Sequence, residues 1–129
     1  MIVARKDYID YRVLKSKEAF DDVVLLAANQ RWNSCINRLY YSCFYLVGAL
    51  LYKYSIKAET HNGAKTQFNL HFIKAGKIDV KYGKLYSNLF DWRQESDYAD
   101  FTEFDSKTVI PLLEQVSEMN KLLMDLINM

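Results

Sequence analysis

Apolar residues recur along this chain at the spacing of three and four residues that is typical of amphipathic helices. The first predicted helix covers residues 7–28, and its apolar positions step at three, four or seven residues. The second covers residues 32–54 and is apolar nearly all round, with no charged residue between positions 39 and 52. A helix of this kind belongs in the middle of a bundle.

Three further helices are predicted in the second half of the chain. A short one begins near Ala64 and ends at Gly76, a fourth runs from Asp79 to about Tyr98, and a fifth runs from about Val109 to the end of the apolar pattern. Pro111 must lie in the first turn of the fifth helix or bend it, because proline cannot donate a backbone hydrogen bond. No segment alternates as a strand would, so the fold class is all-α.

Length and composition indicate one domain over residues 1–129, because the chain is long enough for a single core and half of its residues are apolar. Cys35 and Cys43 are eight positions apart in one predicted helix, roughly 12 Å along its axis, which is too far for a disulfide. Neither has a Cys or His neighbour at metal-ligand spacing, so we predict no metal site.

The chain carries no pattern that points to export or to a membrane. Its first seven residues turn charged at once, unlike a signal peptide. The longest uncharged run, residues 39–52, is shorter than the roughly 20 residues that span a bilayer. We therefore expect a cytoplasmic protein without a membrane partner.

Charge is unevenly distributed, although the formal net charge is only +1. Residues 53–84 contain seven lysines and two acids, whereas residues 91–125 contain nine acids and three basic residues. These runs are either solvated helix faces or a functional feature. The functional interpretations are a basic patch for a polyanion, or self-association in which the basic end of one molecule meets the acidic end of another.

Arg38 heads the uncharged run and is the best candidate for a functional side chain. At helical spacing it shares a face with Tyr41 and Tyr45, and Asn37 precedes it. A guanidinium offers five donors in a fork that fits phosphate or carboxylate. Two interpretations are open: Arg38 faces a ligand, or it pairs internally with an acid such as Asp97.

Arg93 and Asp97 stand four residues apart on the fourth predicted helix. They form either an intrahelical ion pair worth about 0.3–0.5 kcal/mol or a contact that reaches across to the Arg38 face. His61 lies at a turn, where a capping or surface role is the default. No phosphate-binding glycine loop, dinucleotide fingerprint or nucleophile elbow is present, so we predict no cofactor.

Three stretches, residues 37–44, 60–76 and 93–101, together resemble the HEPN domain superfamily, and the resemblance extends over residues 8–125. It implies an up-and-down bundle of four or five helices that forms a symmetric dimer. Many relatives are the toxin half of a toxin–antitoxin pair whose partner is a minimal nucleotidyltransferase, and others act in phage defence or RNA processing.

Active members of this superfamily are metal-independent RNA endonucleases that use an arginine and a following histidine. Arg38 matches the arginine and Asn37 the polar residue before it, but Tyr45 stands where the nearest pattern has histidine. A phenol ordinarily titrates near pH 10 and is a poor general base at pH 7. The resemblance implies catalytic roles for Arg38, Asn37 and Tyr45. We expect the ligand-binding side chains to be Arg38, Tyr41, His61, Arg93 and Asp97.

Three functional hypotheses follow. The first is a regulatory module, of a toxin–antitoxin or defence system, that binds a nucleotide, an RNA phosphate or an acidic partner group through Arg38. The second is an active endoribonuclease toxin, and the third is a dimerisation scaffold without a ligand.

Overall fold

The computed structural model describes residues 2–98 and 102–129, and within them it contains five α-helices and no strand. The helices are α1 (Ile2–Ala28), α2 (Trp32–Lys53), α3 (His61–Phe68), α4 (Val80–Tyr98) and α5 (Ser106–Ile127). A π-helical turn, Asn69–Ile73, continues α3. The all-α bundle predicted from the sequence is confirmed.

Several helix boundaries differ from the prediction because polar side chains set them. α1 begins five residues earlier than predicted, and Arg5 and Lys6 in its early turns are exposed charged residues that add no apolar position to the pattern. α3 begins at His61, where the Thr60 side chain accepts a hydrogen bond from the Gly63 amide. α5 begins at Ser106 behind the cap Asp105. Pro111 therefore lies in the second turn of α5, not in the first.

The centre of the bundle is α2, which packs against α1, α4 and α5. Eleven of its residues are buried, as its uncharged sequence predicts. The buried aromatic side chains Tyr40, Phe68 and Tyr86 join α2 to α3 and α4 in one core. Both cysteines are buried and free, in agreement with the predicted absence of a disulfide.

Polar bonds also hold α1 and α5 to the central helix. The Ser16 hydroxyl donates to the Ser42 carbonyl over 2.6 Å in a buried contact. At the C-terminal end of α2, Lys53 Nζ donates to the Leu126 and Ile127 carbonyls, both at 2.9 Å. These bonds satisfy last-turn carbonyls of α5 that have no partner within the helix.

Among the described residues, no helix combines the length and the apolar character needed to cross a membrane.

Candidate functional site

Arg38 lies half-buried on α2 and faces an open groove of about 310 Å³. Its Nε donates to Asn37 Oδ1 over 3.0 Å, and its guanidinium carbon lies 4.9 Å from the centre of the Tyr41 ring. Neither terminal nitrogen of Arg38 has a hydrogen-bond or ion-pair partner within residues 2–98 and 102–129. The alternative in which Arg38 pairs with Asp97 is therefore wrong.

Asp97 reaches the groove from α4 and holds Asn37 instead. The Asn37 side-chain nitrogen donates to both carboxylate oxygens of Asp97, at 3.1 and 3.3 Å. This contact turns the amide oxygen of Asn37 towards Arg38 Nε. Asp97, Asn37 and Arg38 thus form a hydrogen-bonded chain that leaves the outer edge of the guanidinium to the groove.

Arg93 lies behind these groups and is only 7% exposed. Its guanidinium carbon is 4.9 Å from the centre of the Tyr40 ring and 5.8 Å from that of Tyr41. It also pairs with Asp97 at 3.9 Å, so the intrahelical pair and the contact with the Arg38 face are both present. Arg93 Nε is buried and has no hydrogen-bond partner in the described part of the chain.

His61, the first residue of α3, is packed against α2. Its ring stacks on Phe44 with centroids 4.3 Å apart and meets the Tyr41 ring edge-on at 5.7 Å. The Tyr40 hydroxyl lies 2.9 Å from Nδ1. The expected capping or surface role is wrong, because Thr60 supplies the cap and the His61 ring is half-buried.

The surroundings of His61 favour its neutral form. Burial, followed by the positive charges of Arg93 and Arg12, lowers the pKa of His61 below its ordinary value. Burial also raises the pKa of Tyr40 to about 12, so that phenol stays protonated at neutral pH. A Tyr40 proton donated to Nδ1 leaves the proton of the neutral imidazole on Nε2, whereas the other tautomer leaves Nε2 bare to accept a proton.

The HEPN domain family model matches residues 9–126, which include every residue of this site. The chain belongs to the HEPN family.

Its relatives include proteins named as toxins. A UPF0332 protein of Thermotoga maritima is 36% identical over 105 residues, which are 81% of this chain and 80% of that protein. A Methanocaldococcus jannaschii protein named "Putative toxin MJ0142" is 33% identical over 84 residues, 65% of this chain and 55% of that protein. Another protein of that organism, "Putative toxin MJ0605", is 26% identical over 97 residues, 74% of this chain and 72% of that protein.

In this HEPN chain Tyr45 lies beside Arg12. The Arg12 guanidinium carbon is 5.2 Å from the centre of the Tyr45 ring, and Arg12 Nε donates to the Tyr45 carbonyl over 3.0 Å. The rings of Tyr45 and Tyr41 are 6.2 Å apart between centroids. Tyr41 therefore contacts four of the other predicted residues, Arg38, Tyr45, His61 and Arg93.

All seven residues singled out from the sequence lie in one cluster of contacting side chains. Asn37 belongs to it through its hydrogen bond with Arg38, and Asp97 through its contacts with Asn37 and Arg93. Three members were missed: Tyr40, Phe44 and Arg12. The first two belong to the apolar pattern of α2, which marks them as core. No local signal relates Arg12 to Tyr45, which is 33 residues away. No cluster of three metal-ligating side chains occurs in the described ranges.

Proposed function

We propose that this HEPN chain is a toxin-type module that binds a phosphate group of RNA in the Arg38 groove. One observation carries the proposal: Arg38 lines an open groove, and its two terminal nitrogens have no partner within the described residues. The family and its toxin-named relatives support the toxin-like class. The ligand and the residues are our inference.

The geometry suits a phosphate because a guanidinium can donate two parallel hydrogen bonds to its oxygens. Asn37 holds Nε and the Tyr41 ring covers one face of Arg38, so the side chain is ordered before a ligand arrives. Arg93 adds a second, desolvated positive charge behind the groove. Asp97, the nearest acid in this chain of contacts, is engaged by Asn37 and Arg93.

A second candidate function is RNA cleavage without a metal ion, and His61 is the observation that favours it. The His61 ring and the Arg38 guanidinium both contact the ring of Tyr41. The lowered pKa of His61 keeps its imidazole neutral near pH 7. In the tautomer with a bare Nε2, His61 accepts the proton of the ribose 2′-hydroxyl as its oxygen attacks the phosphorus and the bond from phosphorus to the 5′-oxygen breaks. The departing 5′-oxygen takes a proton from water, and Arg38 stabilises the charge on the phosphate. Tyr45 then serves as a hydrogen-bond donor and not as the base.

Binding is tested by fluorescence anisotropy with a labelled single-stranded RNA. Arg38→Ala should weaken binding at least tenfold, since charge-assisted hydrogen bonds contribute about 1.5–3 kcal/mol. Arg38→Lys should recover only part of the loss, because an ammonium cannot bind bidentately. Arg31→Ala removes the same charge from an exposed residue just before α2 and should change binding less than about twofold. Equal affinities for Arg38→Ala and the wild type would refute the proposal.

Cleavage is tested with the same RNA on denaturing gels in the presence of a chelator. An endoribonuclease should lose its activity on either Arg38→Ala or His61→Ala, and Tyr45→Phe should retain most of it. Binding without cleavage by the wild type would leave the regulatory module as the function.

We extend the proposal to partners that the family resemblance implies, a second copy of this chain and a minimal nucleotidyltransferase. Light scattering coupled to gel filtration measures the first, and co-purification with the product of a neighbouring nucleotidyltransferase gene measures the second. A monomeric mass at all concentrations, or separate elution of the two proteins, would remove the corresponding partner.

A further inference from the structure

A pocket of about 450 Å³ lies between the first half of α1, the second half of α2 and the connection to α3. It shares no lining residue with the Arg38 groove. Its volume falls in the range of small-molecule sites, and its walls combine aromatic rings with cationic side chains.

The aromatic wall is the pair Tyr8 and Tyr52, whose ring centroids are 4.5 Å apart. The two side chains remain 41% and 39% exposed, so each ring offers surface to a ligand. Arg5 lies over the Tyr52 ring at 5.3 Å and is tied to Ser55 Oγ by a 2.8 Å hydrogen bond. Arg12 donates to the Tyr8 hydroxyl over 3.2 Å and lies 5.8 Å from the centre of that ring.

The charge of the pocket is positive. Arg5, Arg12 and Lys57 line it, and Glu59 is the one acid among its lining residues. Lys57 and Glu59 form an exposed pair at 3.2 Å, which leaves the two arginines uncompensated within the pocket wall.

Contacts between side chains, most of them on α2, link the pocket to the Arg38 site. Phe44 lines the pocket and stacks on His61, while Arg12 lies over both Phe44 and Tyr45. Tyr45 in turn is next to Tyr41. Arg38 and Tyr52 are 14 residues apart on one helix, about 21 Å along its axis.

We infer that this pocket stacks a base of the single-stranded RNA whose phosphate binds at Arg38, several nucleotides away. The inference rests on the proposed function and assigns its RNA a path along α1 and α2. Proteins that hold single strands alternate cations, which follow the phosphates, with aromatic rings, which stack on the bases. The same arrangement occurs here in the order Arg5, the ring pair Tyr52 and Tyr8, Arg12, and Tyr45.

The experiment compares RNAs of about three and about ten nucleotides by fluorescence anisotropy, because only the longer strand reaches both sites. Tyr52→Ala should weaken binding of the longer RNA roughly five- to fiftyfold and leave the shorter RNA unchanged. Tyr8→Ala should act in the same direction. Arg38→Ala should weaken both RNAs.

Tyr54→Ala is the matched control. Tyr54 ends the same helix, is 48% exposed and packs on Phe72, outside the pocket. It should bind both RNAs as the wild type does. Thermal unfolding of each variant checks that the protein is still folded after the exposed tyrosine has been replaced.

The outcomes separate the two proposals. If Tyr52→Ala and Tyr8→Ala bind the longer RNA like the wild type while Arg38→Ala does not, the stacking pocket is wrong and the proposed function stands. If Tyr52→Ala weakens binding but Arg38→Ala has no effect, the Arg38 proposal is wrong and the pocket stands. If these variants change the mass of the assembly in solution and leave RNA affinity unchanged, the pocket is a self-association surface and the inference is wrong.

Discussion

The guanidinium of Arg12 fills the space that a side chain at Gly48 would occupy. A Cβ atom added at Gly48 would lie 2.6 Å from Arg12 Cζ, closer than real contacts allow. From this position Arg12 donates to the Phe44 carbonyl over 3.1 Å and to the Tyr45 carbonyl over 3.0 Å. The missing side chain therefore lets α1 bind directly to the backbone of α2.

Gly48→Ala should destabilise the fold by about 1–3 kcal/mol, because it displaces Arg12 from two carbonyl partners. In an Arg12→Ala background the same change should be neutral or stabilising by up to about 1 kcal/mol, since alanine favours a helix over glycine. Urea unfolding of the four proteins measures both effects. Equal effects of Gly48→Ala in the two backgrounds would show that Arg12 and Gly48 are not coupled.

The stability of the protein should fall as His61 becomes protonated. The folded-state pKa of His61 is lowered, so the unfolded chain binds the proton more readily. The contribution is complete above about pH 6.5 and is lost as the pH falls through the lower folded-state pKa. Urea unfolding between about pH 5 and pH 8 should show a smaller decline for His61→Gln than for the wild type. Parallel curves for the two proteins would contradict this assignment.

Arg93→Met should raise the pKa of His61 towards its ordinary value, because the Arg93 charge is one cause of the lowered pKa. The pKa should stay below the ordinary value, since burial is the larger cause and remains. Arg38→Met removes a charge that does not contribute to this shift and serves as the control. NMR titration of the imidazole ring protons reports the pKa directly. An unchanged titration in Arg93→Met would place Arg93 outside the electrostatic environment of His61.

Both thiols should be unreactive in the folded protein. Cys43 is fully buried and burial raises its pKa to about 12, while burial also raises the pKa of Cys35. Because the thiolate is the reactive form, Ellman's reagent should release no colour from native protein at about pH 8 and should titrate two thiols after unfolding. Rapid stoichiometric labelling of the native protein would show that the core around α2 opens readily.

The helical part of this structure is predictable from local pattern. The uncharged run from 39 to 52 identifies α2 as the central helix, and its burial follows. The first turns of α1 were missed because Arg5 and Lys6 are exposed and carry no apolar period. α3 begins three residues before the predicted start because a polar side chain, the Thr60 cap, sets its first residue and the hydrophobic pattern does not.

Local spacing is enough to predict that Arg38, Tyr41 and Tyr45 share one face, since helical periodicity relates residues within two turns. The hydrogen bond from Asn37 to Asp97, sixty residues away, and the contact of His61 with Tyr40 depend on the folded chain and do not follow from local spacing. Such contacts depend on how α3 and α4 settle on the surface of α2, and many side-chain pairings are compatible with one apolar pattern. Local spacing therefore predicts the helix face on which Arg38 lies. The packing of the helices determines which side chains surround its guanidinium.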